Sequence, residues 1–212
     1  MKHQPYGPYE QFIKRPLDCL LSVLALVILC PVIVIIAMCV RIKLGSPVLF
    51  KQARPGRRER IFMLYKFRTM TDKRDKNGEL LPDSERLTKF GAALRATSLD
   101  ELPELLNIAK GDMAIIGPRP LLVQYLPYYT EEERHRHDVR PGLSGLAQVN
   151  GRNLVKWDQR LAYDVKYVNK VTFLGDLKIV GKTIRKVFAR EGIAVNTDAV
   201  ETFLDQERKE ES

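Results

Sequence analysis

The chain has 212 residues, with 35 Lys and Arg against 26 Asp and Glu, a net charge of +9. That is enough chain for one domain with a sizeable core. The composition argues against a purely soluble protein and against one built on disulfides or zinc. Its apolar residues pile up near the N-terminus, and Cys19, Cys30 and Cys39 lie in or at the edge of that run with no partner at metal-ligand spacing.

After a tail over residues 1–11, the first element spans residues 12–43. From Cys19 to Val40, 22 consecutive residues carry no charge. A secretory signal is excluded, because its apolar region is shorter and ends in small residues, whereas this run ends in Arg41, Ile42 and Lys43. As a straight helix it is about 33 Å long, enough to cross a hydrocarbon layer of about 30 Å. Pro31, near its middle, removes a backbone donor and predicts a kink. Lys14 and Arg15 precede the run, and Arg41, Lys43, Lys51 and Arg54 follow it. Cations at both ends suit a helix that enters the membrane, breaks at Pro31 and returns to the cytoplasmic face. The heavier charge on the C-terminal side leaves a spanning helix open as the alternative.

Residues 44–195 read as one water-facing body of mainly helical α+β class. Extended pieces over Val48–Gln52 and Ile61–Thr69 flank a basic turn and predict a β-hairpin. Residues 72–86 read as a surface loop. Helices are predicted at Leu87–Leu94, Leu102–Ala109, Leu121–Tyr125, Glu131–His137, Trp157–Val168 and Leu174–Arg190. The last is amphipathic, with Leu177, Val180, Ile184, Val187 and Phe188 on one side and Lys178, Lys182, Arg185 and Lys186 on the other. Such a helix can lie on anionic lipid headgroups or pack on the core with a solvated basic face. The acidic tail, residues 196–212, is expected to be disordered.

The most informative stretch is Ser98-Leu99-Asp100-Glu101-Leu102-Pro103-Glu104. Ser98 and Glu101 have capping-box spacing, which a plain helix start explains. Pro103 would then be the fifth helical residue and lack a needed donor; with Asp100 as the cap it falls in the first turn. An acid pair at a helix start, where free amides can hold a phosphate, gives a carboxylate able to attack phosphorus. Arg54-Pro55-Gly56, Pro118-Arg119-Pro120 and Arg140-Pro141-Gly142 each hold a guanidinium on stiff backbone, ready for an oxyanion. With Lys66, Arg68 and Arg95 they point to a phosphate-rich ligand. Two loops, Gly142 to Gly145 and Gln148 to Asn153, offer backbone and amide groups suited to a nucleotide or sugar. His135 and His137 read as a solvated helix face.

These blocks resemble the monotopic phosphoglycosyl transferases, or bacterial sugar transferases, over roughly Phe12 to Arg190. The resemblance rests on Lys14-Arg15 with Asp18, the proline-broken apolar helix, Gln52 to Gly56, Tyr65 to Met70, Ser98 to Pro103, Gly111-Asp112-Met113, Gly117 to Pro120 and Arg140 to Arg152. The chain is most similar to the short members, those like the diacetylbacillosamine-phosphate transferase of N-glycan assembly. Cys30 departs from the family, standing where a serine is common.

The resemblance implies transfer of a sugar 1-phosphate from a UDP-sugar to polyprenyl phosphate, through a phosphosugar on Asp100 and with release of UMP. It implies Mg²⁺ held by Glu101 with Asp100. It also implies substrate contacts from Lys66, Arg68, Arg95, Arg119, Arg140, Gln148, Asn150, Arg152 and Asp164, and a place on the cytoplasmic face of the bacterial inner membrane. A homodimer is compatible with it. A tethered nucleic-acid-binding module would suit the charge, but the aromatics are not interleaved with the cations as a stacking platform needs. A scaffold would not need three proline-held arginines.

Overall fold

The computed structural model describes residues 3–151, 156–189 and 203–210. A π-helical turn, Tyr9–Ile13, leads into α1, Lys14–Leu44. Together they form a helix long and apolar enough to cross a membrane by length and composition. α1 is one helix with Pro31 inside it, at the position where the kink is expected. Leu29 and Ile33, on either side of the proline, both pack on the body and hold the two halves in register.

One stripe of α1 faces the body while the rest stays exposed. At its first turn Lys14 Nζ donates to Asp176 (2.5 Å), whose other oxygen accepts from Tyr167, and Arg15 donates to the carbonyl of Ile108 (2.9 Å). At the far end Ile36, Val40 and Leu44 pack with Phe67 and Leu94. Leu20, Leu24, Val27, Ile28, Ile35 and Met38 are each about half or more exposed. Both ends of the helix thus rest on the same folded unit.

The hairpin is β1, Leu49–Pro55, paired antiparallel with β2, Ile61–Phe67, with Gln52 opposite Leu64 and Pro55 opposite Ile61. Its loop holds Arg58 and Glu59 at positive φ (56° and 59°). The expected surface loop at 72–86 contains a bridge between Arg74 and Leu80 and a short helix, α2, Asp83–Arg86. Next come α3, Lys89–Ala96, and α4, Glu104–Lys110, each within about two residues of its predicted range. Gly111 ends α4 at φ +100°, a left-handed cap that a Cβ would strain.

β3, Ala114–Ile116, pairs in parallel with β4, Gly142–Ser144. Their approach is so close that a Cβ on Gly142 would collide with the backbone of Gly117. Between them lie a 3-10 stretch, Val123–Tyr128, the capped helix α5, Glu131–Arg134, and a 3-10 turn, His135–His137. α6, Leu146–Asn150, then α7, Trp157–Val168, and α8, Phe173–Ala189, complete the body. Ile116, Val149, Tyr167, Val168 and Ile179 make the core between β3 and α8.

α8 divides its apolar residues. Ile179 is buried, whereas Phe173, Leu174, Leu177 and Ile184 are each at least half exposed along one stripe. Within the C-terminal tail, residues 203–210 are described. α9, Leu204–Glu210, buries Leu204 completely beside Tyr125, Tyr129, Trp157 and Leu161, and Arg208 pairs with Glu133 (2.7 Å) and Asp158 (2.6 Å). One apolar side chain in a hydrophobic slot and one cation between two acids order a segment whose composition alone favours solvent.

Candidate active site

Asp100 lies in a 3-10 turn, Leu99–Glu101, entered through Ser98 at φ +55°. α4 starts later than the capping argument expects: Pro103 directly precedes it, and Asp100 stands one turn ahead rather than at the cap. The proline's missing donor falls where no helical bond is required, as the sequence argument needs. Ser98 makes no capping bond, so the capping-box explanation of this stretch drops out.

Asp100 is 8% exposed, and no described group donates a hydrogen bond to its carboxylate. Burial pushes its pKa up, Lys66 pulls it back, Glu101 raises it again, and Arg119 and Arg95 lower it, leaving the carboxyl above its ordinary value. Among the described residues it is a buried acid with no bonded partner, lying in the field of Lys66, Arg119 and Arg95.

Its neighbour is the opposite case. Glu101 Oε1 accepts from Lys66 Nζ at 2.6 Å and from Arg119 Nη2 at 2.7 Å. Burial alone would raise this carboxyl, but Arg119 and Lys66 outweigh it and hold it well below the carboxylate range. Lys66, on β2, also faces Glu104 at 3.2 Å. Glu104 is almost wholly buried, and burial drives its pKa up to about 7 despite the lysine. Glu104 joins this cluster although sequence reading gave it no role; the signal was its position three residues after Glu101, about one helical turn further along the chain.

Two further arginines border this group. Arg95, on α3, donates to Thr69 Oγ1 at 3.0 Å and lies close enough to lower the pKa of Asp100. Arg54, on β1, donates to Gln52 at 2.6 Å while its buried Nε has no partner among the described residues. Burial, and then the nearby charge of Arg119, lower Arg54 to about 10. Two guanidiniums side by side with a spare buried donor form a seat for an oxyanion.

The remaining predicted residues go elsewhere. Arg68 spends its guanidinium on the carbonyls of Ser46 and Met70 (both 2.8 Å) and on Asp72 (2.7 Å). Arg140 donates to the carbonyl of Gly111 at 2.9 Å, at the end of α4 away from Asp100. Gln148 donates to Leu143 and leaves its buried Oε1 without a partner; Asn150 donates to Leu146 and accepts from Lys182. Arg152 lies outside the described residues. Asp164 is buried against Arg136, which donates to it through Nε (3.1 Å) and Nη2 (2.8 Å) and to the carbonyl of Arg119 at 2.6 Å. Asp164 therefore reaches the site only through Arg136, as the brace behind the Arg119 loop. His137 is buried rather than solvated, its ring packed near Tyr129 and its pKa lowered to about 3 by burial and by Arg136.

Among the described residues no three His, Cys, Asp or Glu side chains gather as a metal site. Mg²⁺ does not need such a cage, since it binds through one or two carboxylates plus phosphates and water. The carboxylate of Asp100 and the second oxygen of Glu101, neither bonded among the described residues, are the atoms that would hold such an ion.

Residues 9–190 match the family of bacterial sugar transferases. An uncharacterized sugar transferase, EpsL, of Bacillus subtilis (strain 168) is 51% identical over 181 residues, covering 85% of this chain and 90% of the relative. The exopolysaccharide production protein ExoY of Sinorhizobium fredii is 37% identical over 202 residues, 87% of this chain and 89% of the relative. The undecaprenyl-phosphate galactose phosphotransferase of Salmonella typhimurium is 35% identical over 200 residues, which are 86% of this chain but 42% of the relative. The chain belongs to the bacterial sugar transferase family.

Proposed function

We propose that this protein transfers a sugar 1-phosphate from a UDP-sugar to a polyprenyl phosphate, as an initiating step of polysaccharide assembly, by way of a covalent intermediate on Asp100. The observation that carries the reading is the Asp100 carboxylate, buried and unbonded among the described groups, beside a glutamate that two cations hold ionised. The relatives named for undecaprenyl-phosphate sugar transfer supply the substrate class.

In the first step an Asp100 oxygen attacks the sugar-bearing phosphorus, the bond from that phosphorus to the bridging oxygen breaks, and UMP leaves with the electron pair. In the second, a phosphate oxygen of the polyprenyl phosphate attacks the same phosphorus and the aspartyl oxygen leaves as the free carboxylate. Neither step requires a proton. Arg119 and Arg54 balance charge on the phosphates, and Lys66 keeps Glu101 ionised and in place. Mg²⁺, held by Glu101 with Asp100, supplies neutralisation of the diphosphate when bound. Burial raises Glu104 to about 7, so it takes up a proton more readily than an ordinary glutamate and limits the negative charge beside the incoming phosphates.

A lipid phosphate lies at headgroup depth, so the site has to stay there. The exposed apolar face of α1 and the exposed stripe of α8 support a membrane-seated protein. A re-entrant α1 with the body on the cytoplasmic face is supported by its two ends resting on one folded unit, since a spanning helix would separate the partners of Lys14 from those of Val40. A cysteine placed at residue 2, with the three native cysteines replaced, tests this in intact cells. Protection from an impermeant reagent fits re-entry, and labelling from outside contradicts it.

The transfer itself is tested by UMP release from a panel of UDP-sugars with undecaprenyl phosphate and Mg²⁺. Release that is abolished by chelation and in Asp100→Asn is the expected outcome. Near-normal release by Asp100→Asn defeats the reading.

A further inference from the structure

A second cationic centre lies at the other end of α4. Asp100 precedes that helix, while Gly111 and Asp112 follow it, and seven helical residues of about 1.5 Å rise separate the two ends. There an open pocket of about 440 Å³ is lined by Arg57, Arg58, Arg60 and Arg140, with Phe62 as its apolar wall and Asp112 as its acid. Asp112 is turned to Asn107 (3.3 Å), and among the described residues none of the four arginines makes an ion pair. Arg57 and Arg140 each spend one Nε–H on a backbone carbonyl, of Asp138 and Gly111, and these bonds fix their guanidiniums without neutralising them. Arg140 sits below the usual guanidinium range, first through burial and then through the charges of Arg15 and Arg57. The hairpin loop reinforces the crowding: Arg58 is held in left-handed backbone, and the next residue, Glu59, is turned to Arg134 (2.8 Å) instead of to its arginine neighbours. Four cations gathered at one concave place with a single acid among them, and no ion pair to it, are relieved by an anion.

The pocket's position names the source of that anion. Arg140 lies within electrostatic reach of Arg15 and Asp18, both in the first turns of α1, where the charged lead-in gives way to the apolar run at Cys19. On the reading of α1 as membrane-seated, which this inference requires, that turn marks headgroup depth. Ile61, half exposed on the pocket rim, adds an apolar contact beside the cations.

We propose that the pocket at the C-terminal end of α4 binds the phosphate of an anionic phospholipid headgroup, as a site separate from the Asp100 centre. Two guanidiniums with unspent donors, Arg58 and Arg60, would meet the phosphate oxygens, with Arg140 and Arg57 fixed behind them. Such a contact sets the depth and tilt of the body on the membrane, which is what a site serving a lipid phosphate needs.

The test uses the full chain in an uncharged detergent and measures thermal shift against short-chain phosphatidylglycerol, short-chain phosphatidylcholine, inorganic phosphate and UMP. Phosphatidylglycerol should stabilise the native protein and phosphatidylcholine should not. The double variant Arg58→Ala/Arg60→Ala should raise the half-saturating concentration of phosphatidylglycerol by about tenfold or more. Asp100→Asn should leave it unchanged. An unchanged titration in the double variant, or equal binding of inorganic phosphate or UMP to this pocket, overturns the proposal. Flotation on neutral phosphatidylcholine vesicles separately reads the membrane seat of α1, and UMP release reads the transferase. Failure of the pocket is thereby distinguished from failure of either reading.

Discussion

Two acid–arginine sites, linked by the bond from Arg136 to the carbonyl of Arg119, behave in opposite ways. At Asp164 the carboxylate and the guanidinium of Arg136 are both nearly fully buried and bonded to each other. At Asp100 the carboxylate is buried but unbonded among the described residues, and the guanidinium of Arg119 goes to Glu101 instead. The first arrangement uses charge to fix a chain, because the partner cannot leave without stranding a buried ion. The second leaves an acid with nothing to lose but its cations' field, which is the condition for attack on phosphorus. Arg136 joins them by gripping the carbonyl of Arg119 at 2.6 Å, so the closed pair holds the open one in shape.

The contrast can be broken from the open side first. Asp100→Asn should reduce turnover by about a thousandfold or more with an unchanged melting temperature, since the amide cannot form the phosphosugar ester and no bond in the fold is lost. Steady-state UMP release and thermal denaturation of the same preparation check both halves.

On the closed side the order reverses. Asp164→Ala should destabilise by about 3 to 5 kcal/mol because Arg136 is left buried and unpaired. Loss of activity should follow unfolding, read by comparing activity with folded fraction across temperature. A variant that melts normally but turns over slowly would move Asp164 from the brace to the site.

Arg119→Ala tests the link between them. It removes a charge-assisted bond and a phosphate partner, a loss of about 1.5 to 3 kcal/mol in transition-state stabilisation. It should also let the carboxyl of Glu101 rise. Glu101→Gln should weaken the response to Mg²⁺ as well as the rate, because an amide is a poorer ligand for a hard cation. A wild-type metal titration in that variant would remove Glu101 from the metal's shell.

The smallest effect concerns Glu104. Its folded pKa of about 7 lies above the value of 4.5 for a free side chain. The group therefore stabilises the fold while protonated: its contribution is complete below the lower value and is lost as pH rises through the upper one. Glu104→Gln should flatten the fall in melting temperature across that window, and a parallel pH dependence in both proteins would reassign the slope.

The clustering of Asp100, Glu101 and Arg119 was legible because these parts announce themselves locally. An acid pair before a proline, and an arginine between two prolines, restrict their own backbone whatever surrounds them. The helices at Trp157–Val168 and Phe173–Ala189 were legible for the same reason, through periodicity over many turns. What stayed hidden depends on partners distant in sequence. Asp164 and Arg136 are separated by 28 residues, and residue type alone cannot distinguish a paired acid from a substrate ligand. Arg68 looked like Arg119, yet its donors end on backbone carbonyls that no motif reveals. In the C-terminal segment, the burial of Leu204 and the two ion pairs of Arg208 likewise depend on partners that composition does not reveal.

The central claim is the covalent intermediate, and the most direct measurement is intact-protein mass spectrometry after mixing the enzyme with Mg²⁺ and its UDP-sugar, with no polyprenyl phosphate present. The account predicts a mass increase equal to one sugar phosphate, mapped to Asp100, absent in Asp100→Asn and discharged on adding polyprenyl phosphate, with an equivalent of UMP released beforehand. An unmodified protein that releases UMP only once the lipid phosphate is added would contradict it, because the phosphoryl group would then pass directly between substrates.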